Sequence, residues 1–277
     1  MRVTEQHVVA ARLRAAGCVF AEDEAALLSG AARTPVELAE LVARRVAGVP
    51  LEQILGWTEF CGRRIVVEPG VFVPRRRSEL LVRAAAALLG AVSRRRARAG
   101  GAPRTVVVDL CCGSGALGAA LAAAVDAVEL HAVDIAPAAV ACARRNVGGA
   151  VYEGDLYEPL PASLRARVDL VVANVPYVPT AEIARLPPEA RLYEPRIALD
   201  GGADGLTVVR RVSAEAPLWL APGGRLLVEA SKRQVPAVCE IFTRAGLCAR
   251  VVVSGDLEAT VVSARRPARA RRRATGR

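Results

Sequence analysis

At 277 residues, 53% of them apolar and 24% charged, the chain excludes wholesale disorder and has the length for one large or two modest domains with ample core. The formal charge of +10 suggests a nucleic-acid partner until it is located: seven arginines lie in residues 265 to 277, and without them the charge falls to +3, so the folded body is only mildly basic. Seven cysteines with no Cys-x-x-Cys pair and no secretory leader, beside only His7 and His131, argue against a disulfide framework or a zinc site and point to a reduced, cytoplasmic protein.

Residues 4 to 56 predict short helices. The clearest start is Thr34-Pro35-Val36-Glu37, where Thr caps, Pro takes the first helical position and Glu returns to the Thr amide, opening a helix to about Arg45. Pro50 opens another turn through Gly56. Trp57-Thr58-Glu59-Phe60 and Arg64-Ile65-Val66-Val67, flanking Cys61-Gly62-Arg63, form a hairpin candidate. Residues 1–73 are therefore expected to be a small N-terminal helical domain with a β-hairpin linker. The run Ser93-Arg94-Arg95-Arg96-Ala97-Arg98 before Gly100-Gly101 suits a helix end, where cations complement the dipole.

From residue 104 the pattern alternates. Strands are predicted at Val106 to Asp109, Val128 to Val133, near Val151, and at Val168 to Ala173, Arg225 to Ala230, Ala249 to Val253 and Thr260 to Ala264. Helices are predicted from Ala116, from Pro137 to Asn146, and from Leu206 and Val235. This is an α/β, doubly wound sheet over residues 74–265. The uncharged run Leu110 to Val125 is shorter than the roughly 18 to 20 residues that span a bilayer, so no membrane segment is expected. Residues 266–277 read as a disordered Arg-rich tail, either a solubilising end or an arm that touches RNA or the ribosome weakly.

Asp109-Leu110-Cys111-Cys112-Gly113-Ser114-Gly115-Ala116-Leu117-Gly118 follows a strand and opens a helix. Gly113, Gly115 and Gly118 fit the dinucleotide fingerprint, and Asp134 lies where an acid grips a ribose, so a nicotinamide oxidoreductase is a rival reading. A glycine turn that only packs helix on strand also fits. Charge separates the ligands: Asp109 repels a pyrophosphate but tolerates the cationic sulfonium of S-adenosylmethionine, whose ribose suits Asp134 and whose adenine suits Asp155-Leu156. Each acid has a plainer alternative, Asp134 as a helix cap and Asp155 as a turn closer.

The strand Val171-Val172-Ala173 stops at Asn174-Val175-Pro176-Tyr177. As ordinary punctuation this needs no chemistry. As a site, the Asn174 side-chain oxygen and the Val175 carbonyl, stiffened by Pro176, converge as two acceptors for a planar NH2 group, and Tyr177 covers its flat face. Amide and nucleobase nitrogens are poor nucleophiles, so an enzyme that alkylates them must orient them and accept their hydrogens.

This tetrapeptide resembles the Asn-Pro-Pro-Tyr motif of methyltransferases that modify planar nitrogens. Leu55-Gly56, Glu59-Phe60, Gly62, Pro69-Gly70-Val71, Val73-Pro74-Arg75 and Ser78-Glu79 fall in the spacing of release-factor glutamine methyltransferases, which modify a glutamine amide in translation termination factors. Tyr193-Glu194-Pro195-Arg196-Ile197-Ala198-Leu199-Asp200-Gly201-Gly202-Ala203-Asp204-Gly205-Leu206 is a second marker, adjoining the substrate groove in that family. The resemblance covers roughly residues 50 to 264. It implies a seven-stranded class I methyltransferase sheet whose last strand is antiparallel. It also implies S-adenosylmethionine held by Asp109, Cys111, Gly113, Ser114, Gly115, Asp134, Asp155, Leu156 and Asn174, and a glutamine held by Asn174, Val175, Pro176 and Tyr177, without metal. A release factor is the expected partner, and a monomer the expected state. Val175, Cys111, Arg76 and Arg77 depart from the family pattern, which leaves open a paralogue with another protein substrate. An exocyclic amino group of a nucleobase is the alternative substrate, and a non-catalytic cofactor-binding protein the alternative of another class.

Overall fold

The computed structural model of the chain describes residues 2–98 and 104–268. Four helices open it: α1 (Arg2–Ala15), α2 (Ala21–Ala31), α3 (Pro35–Val46) and α4 (Leu51–Leu55). Leu13, Leu28, Val42 and Ile54 give them a core of their own. Thr34 caps α3 by accepting the Glu37 N–H at 3.1 Å, whereas the Glu37 carboxylate takes the Arg33 N–H at 2.7 Å, one residue earlier than the expected Thr34 amide. In the hairpin, β1 (Trp57–Phe60) pairs with β2 (Arg63–Val66), Phe60 opposite Arg63. The turn is thus Cys61-Gly62 alone, both with positive φ (51° and 68°), the twist that a two-residue hairpin requires, and Arg63 belongs to the strand.

The remainder is α5 (Glu79–Arg98), β3 (Thr105–Leu110), α6 (Ala116–Ala124), β4 (Val128–Asp134), α7 (Pro137–Asn146), β5 (Ala150–Glu153), β6 (Val168–Ala173), α8 (Pro188–Tyr193), α9 (Thr207–Trp219), β7 (Leu220–Glu229), α10 (Val235–Arg244), β8 (Cys248–Ser254) and β9 (Ala259–Arg265). The seven strands run in the order β5-β4-β3-β6-β7-β9-β8, with β9 antiparallel to both neighbours. This is the doubly wound class I methyltransferase sheet with a small N-terminal helical unit. β3 and β6 sit at its centre and are buried at every position, as apolar runs covered on both faces must be. Alternate residues feed opposite cores. Val108, Leu110, Val171 and Val228 face Trp219 and Phe242 of α9 and α10, while Val107, Leu170, Val172 and Leu227 face Leu81, Leu89 and Leu121 of α5 and α6.

β7 begins at Leu220, earlier than the predicted Arg225, because its pairing with β6 shifts register between Val168 and Leu170 to admit Pro222-Gly223-Gly224. Of the proposed tail, Arg266 still pairs with the β7 turn: its N–H donates to the Gly224 carbonyl at 2.8 Å, and its carbonyl accepts the Gly223 N–H at 3.0 Å. Residues 269–277 lie outside the described residues. So do Gly100 and Gly101, while α5 runs through Arg98. No helix among the described residues is long and apolar enough to cross a membrane, and no group of three or more His, Cys, Asp or Glu there is arranged to hold a metal.

Candidate active site

The chain leaves β3 toward β4, while β6 lies on the other side of β3, so the carboxyl ends of β3 and β6 flank the point where the winding reverses. A cavity of about 500 Å³ opens there. One side carries Cys111, Gly113, Ser114, Asp134, Asp155 and Leu156, and the other Asn174, Val175, Pro176 and Tyr177. Two predicted residues stand behind the wall. Asp109 is fully buried beneath the loop, with Oδ2 accepting the Gly118 N–H at 2.9 Å. Gly115 meets α7 so closely that a Cβ there would lie 2.6 Å from Val147, which makes it a packing residue.

In the loop half, the Gly113 N–H donates to Asp134 Oδ2 at 2.8 Å, and Asp134 Oδ1 accepts the Ala136 N–H at 2.9 Å. Asp134 therefore closes the turn before α7 and lines the cavity; it is not the helix cap of its plainer reading, since the capping position is Ala136 and no side chain caps α7. Burial pushes its carboxyl up, against the Ala136 and Gly113 hydrogen bonds. A dinucleotide loop would aim that Gly113 N–H at a phosphate. Here a carboxylate already holds it, so the charge argument against pyrophosphate passes from the buried Asp109 to Asp134. A Cβ on Gly113 would meet nothing within 4 Å, which leaves the loop surface open to a ligand. Asn146 braces the loop from behind: its Nδ2 donates to the Ser114 carbonyl at 2.8 Å and to the Val66 carbonyl at 2.9 Å, and its Oδ1 accepts the Val66 N–H at 2.8 Å. Asp155 is held by Arg211 of α9, Nη2 to Oδ2 at 2.6 Å, a partner the sequence did not reveal.

On the other side, Ala173 pairs with Val228, so Asn174 and Glu229, the next residues, leave adjacent strands together. Asn174 Nδ2 donates to Ser78 Oγ at 3.3 Å. Its Oδ1 is buried and has no hydrogen-bond partner, an unfilled acceptor on a residue of the cavity wall. The Tyr177 hydroxyl donates to Glu229 Oε1 at 3.1 Å and accepts from Arg77 Nη2 at 2.6 Å. Burial first, then the charge of Glu229, pushes its phenol up, so Tyr177 stays protonated and is no base. The second glycine-rich marker backs this motif directly. Val178 donates to Leu199, Gly201 donates back to Val178, and Gln234 Nε2 donates to the Tyr177 carbonyl at 2.9 Å. At Gly205 (φ +74°) a Cβ would stand 2.2 Å from that same carbonyl, so only glycine fits.

The outer wall comes from both predicted domains: Val71 and Phe72 from the segment after the hairpin, Ile197 and Leu199 from the glycine-rich marker. Glu194 joins the two segments, accepting both the Val73 N–H at 3.1 Å and the Arg75 guanidinium at 2.7 Å. Burial pushes the Glu194 carboxyl up, and Arg75 opposes it.

Residues 63–186 match the family model of the methyltransferase small domain. A release factor glutamine methyltransferase of Geobacter sulfurreducens is 43% identical over 222 residues, 77% of this chain and 73% of that protein. Another, of Streptomyces coelicolor, is 41% identical over 207 residues, 74% of this chain and 70% of that protein. A 4-amino-L-phenylalanine/4-methylamino-L-phenylalanine methyltransferase of Streptomyces pristinaespiralis is 38% identical over 208 residues, 74% of this chain and 69% of that protein. Similarity of this degree over more than two thirds of those proteins means that the chain belongs to the release factor glutamine methyltransferase family.

Proposed function

We propose that this chain transfers a methyl group from S-adenosylmethionine to the side-chain amide nitrogen of a glutamine in a peptide chain release factor. The observation that carries the reading is Asn174, a residue of the cavity wall whose buried Oδ1 has no hydrogen-bond partner and lacks the hydrogen that a substrate NH2 supplies. The loop fits the methyl donor. Each Asp134 oxygen keeps a lone pair beyond its backbone bond, enough to accept ribose hydroxyls, and the surface over Gly113 is clear. Asp155, steadied by Arg211, and Leu156 offer adenine one polar and one apolar contact. When bound, S-adenosylmethionine supplies an electrophilic methyl group on a cationic sulfur.

The chain contributes position. Asn174 Oδ1 and the Val175 carbonyl accept the two amide hydrogens and aim the nitrogen, while Tyr177 covers the flat face. Holding two reactants in this way corresponds to roughly 7 to 11 kcal/mol of barrier. No strong base is needed, because the proton leaves once the nitrogen is cationic. The test is incubation of purified release factor with isotope-labelled methyl donor, followed by peptide mass spectrometry. Label on a glutamine side chain is expected, and label elsewhere or nowhere sinks the reading.

The Streptomyces pristinaespiralis relative favours a second reading, a planar NH2 on a small aromatic molecule, which the same two acceptors suit. It predicts turnover of 4-amino-phenylalanine and none of release factor.

A further inference from the structure

Ser78, on the cavity wall and within hydrogen-bond reach of Asn174, and Glu229, its other partner, are both almost fully buried, at 2% and 3% exposure. Ser78 Oγ donates to Glu229 Oε2 at 2.6 Å, the short distance of a charge-assisted bond. Glu229 Oε1 is occupied by Arg77 Nε at 3.0 Å and by the Tyr177 hydroxyl at 3.1 Å. A carboxylate offers no hydrogen, so the single hydroxyl hydrogen of Ser78 must point to Glu229. Only lone pairs then remain toward Asn174. The group of Asn174 that meets Ser78 must be its NH2, and its oxygen must turn the other way, where it has no partner.

We infer that Glu229, acting through Ser78, is the positioning device that sets which end of the Asn174 amide faces the substrate. The inference rests on the acceptor reading of Asn174 given above. An amide is nearly symmetric in shape, so packing alone does not choose between its two orientations, and the reversed one would present NH2 to NH2. The direction of the hydrogen bonds makes the choice. It also gives a reason for Arg77, which departs from the family pattern: its guanidinium balances the Glu229 charge, without which the relay would hold an unpaired buried anion.

The test is a double-mutant cycle with kcat, the KM for the methyl donor and the thermal midpoint as readouts. In Glu229→Gln, Arg77 and Tyr177 still claim the remaining oxygen, so the new NH2 donates to Ser78, and the Ser78 hydrogen becomes free to donate to Asn174 and reverse it. Glu229→Gln should therefore lower kcat by about a hundredfold, with the donor KM unchanged. Ser78→Ala, which leaves the amide free in both orientations, should cost about twofold, the share held the wrong way round, and Ser78→Thr should match the wild type. In the double variant the Glu229→Gln loss should shrink to that of Ser78→Ala, since the relay is already cut. Additive losses, or wild-type kcat in both single variants while Asn174→Ala is impaired, would overturn the relay alone. Wild-type kcat in Asn174→Ala overturns the acceptor reading itself. Should Glu229→Gln not fold, the Ser78→Ala and Ser78→Thr pair decides, and equal kcat in the two overturns the inference.

Discussion

Asp109 holds a carboxyl that burial pushes up to about 7, with the Gly118 N–H opposing and the Asp134 charge adding to the rise. An acid whose folded value lies above its unfolded one takes up a proton on folding. Its contribution to stability is therefore present at low pH and is lost as pH climbs between about 4 and about 7, at up to roughly 1.4 kcal/mol per unit. Asp109→Asn keeps an oxygen for Gly118 and removes the titration. Urea denaturation from pH 5 to 8 should show a flatter profile for the variant than for the wild type, and parallel profiles would refute the assignment. At this scale the sequence yielded the residues whose signals are local: an amide closing an apolar strand, a glycine turn, an acid ending the next strand. It marked Ser78 only through the family resemblance, without its contacts, and hid Glu229 and Arg211. Their partners stand 96 residues away for Ser78 and Asn174, 151 for Ser78 and Glu229, and 56 for Arg211 and Asp155, and no short spacing pattern encodes such pairs.

Elements were legible where periodicity was strong. β3, β6 and the helices α6, α7, α9 and α10 begin where capping, proline or apolar runs place them. The missed features arise from pairing between distant segments: the start of β7, set by a register shift, and the hairpin turn, set by twist. Contacts between elements were invisible as well. Asn146 ends α7 in sequence terms, but its side chain joins β2 to the loop that holds Ser114. Asn146→Ala removes three hydrogen bonds at about 1 kcal/mol each. We expect a stability loss of about 2 to 4 kcal/mol in denaturant titration. Calorimetry should also show weaker methyl-donor binding, because Ser114 loses its brace. Unchanged affinity would mean that the loop holds its shape without the hairpin.

The whole molecule is tied together at Arg45. Its guanidinium binds Glu24 of α2 at 2.6 and 3.1 Å and Glu189 of α8 at 2.5 Å, with the Arg45 side chain only 8% exposed. Nearby, the Tyr193 hydroxyl donates to the Ala47 carbonyl at 2.9 Å, and Gln53 Nε2 reaches the carbonyls of Val71 and Tyr193. The helical unit that the sequence set apart as residues 1–73 is thus fastened to the segment that walls the cavity. Arg45→Ala leaves the Glu24 carboxylate buried without its partner, a defect that costs about 3 to 5 kcal/mol. Scanning calorimetry should resolve an early transition of the helical unit ahead of the sheet. A single transition at the wild-type midpoint would show the two parts to be independent of this contact.

The crevice at the reversal of winding has a stereochemical consequence. Asp134 stands on one lip and Asn174 on the other, so the proposed reading has donor and acceptor in the site together. The thiols on the wall are Cys111 and Cys112, and burial first, then the charges of Asp134 and Asp109, drives both far above their ordinary range. They stay protonated and offer no way-station for the methyl group. Initial-rate plots at several fixed concentrations of the second substrate should intersect rather than run parallel. A methyl carbon made chiral with the three hydrogen isotopes should arrive with its configuration inverted, the mark of one displacement; retention would require two.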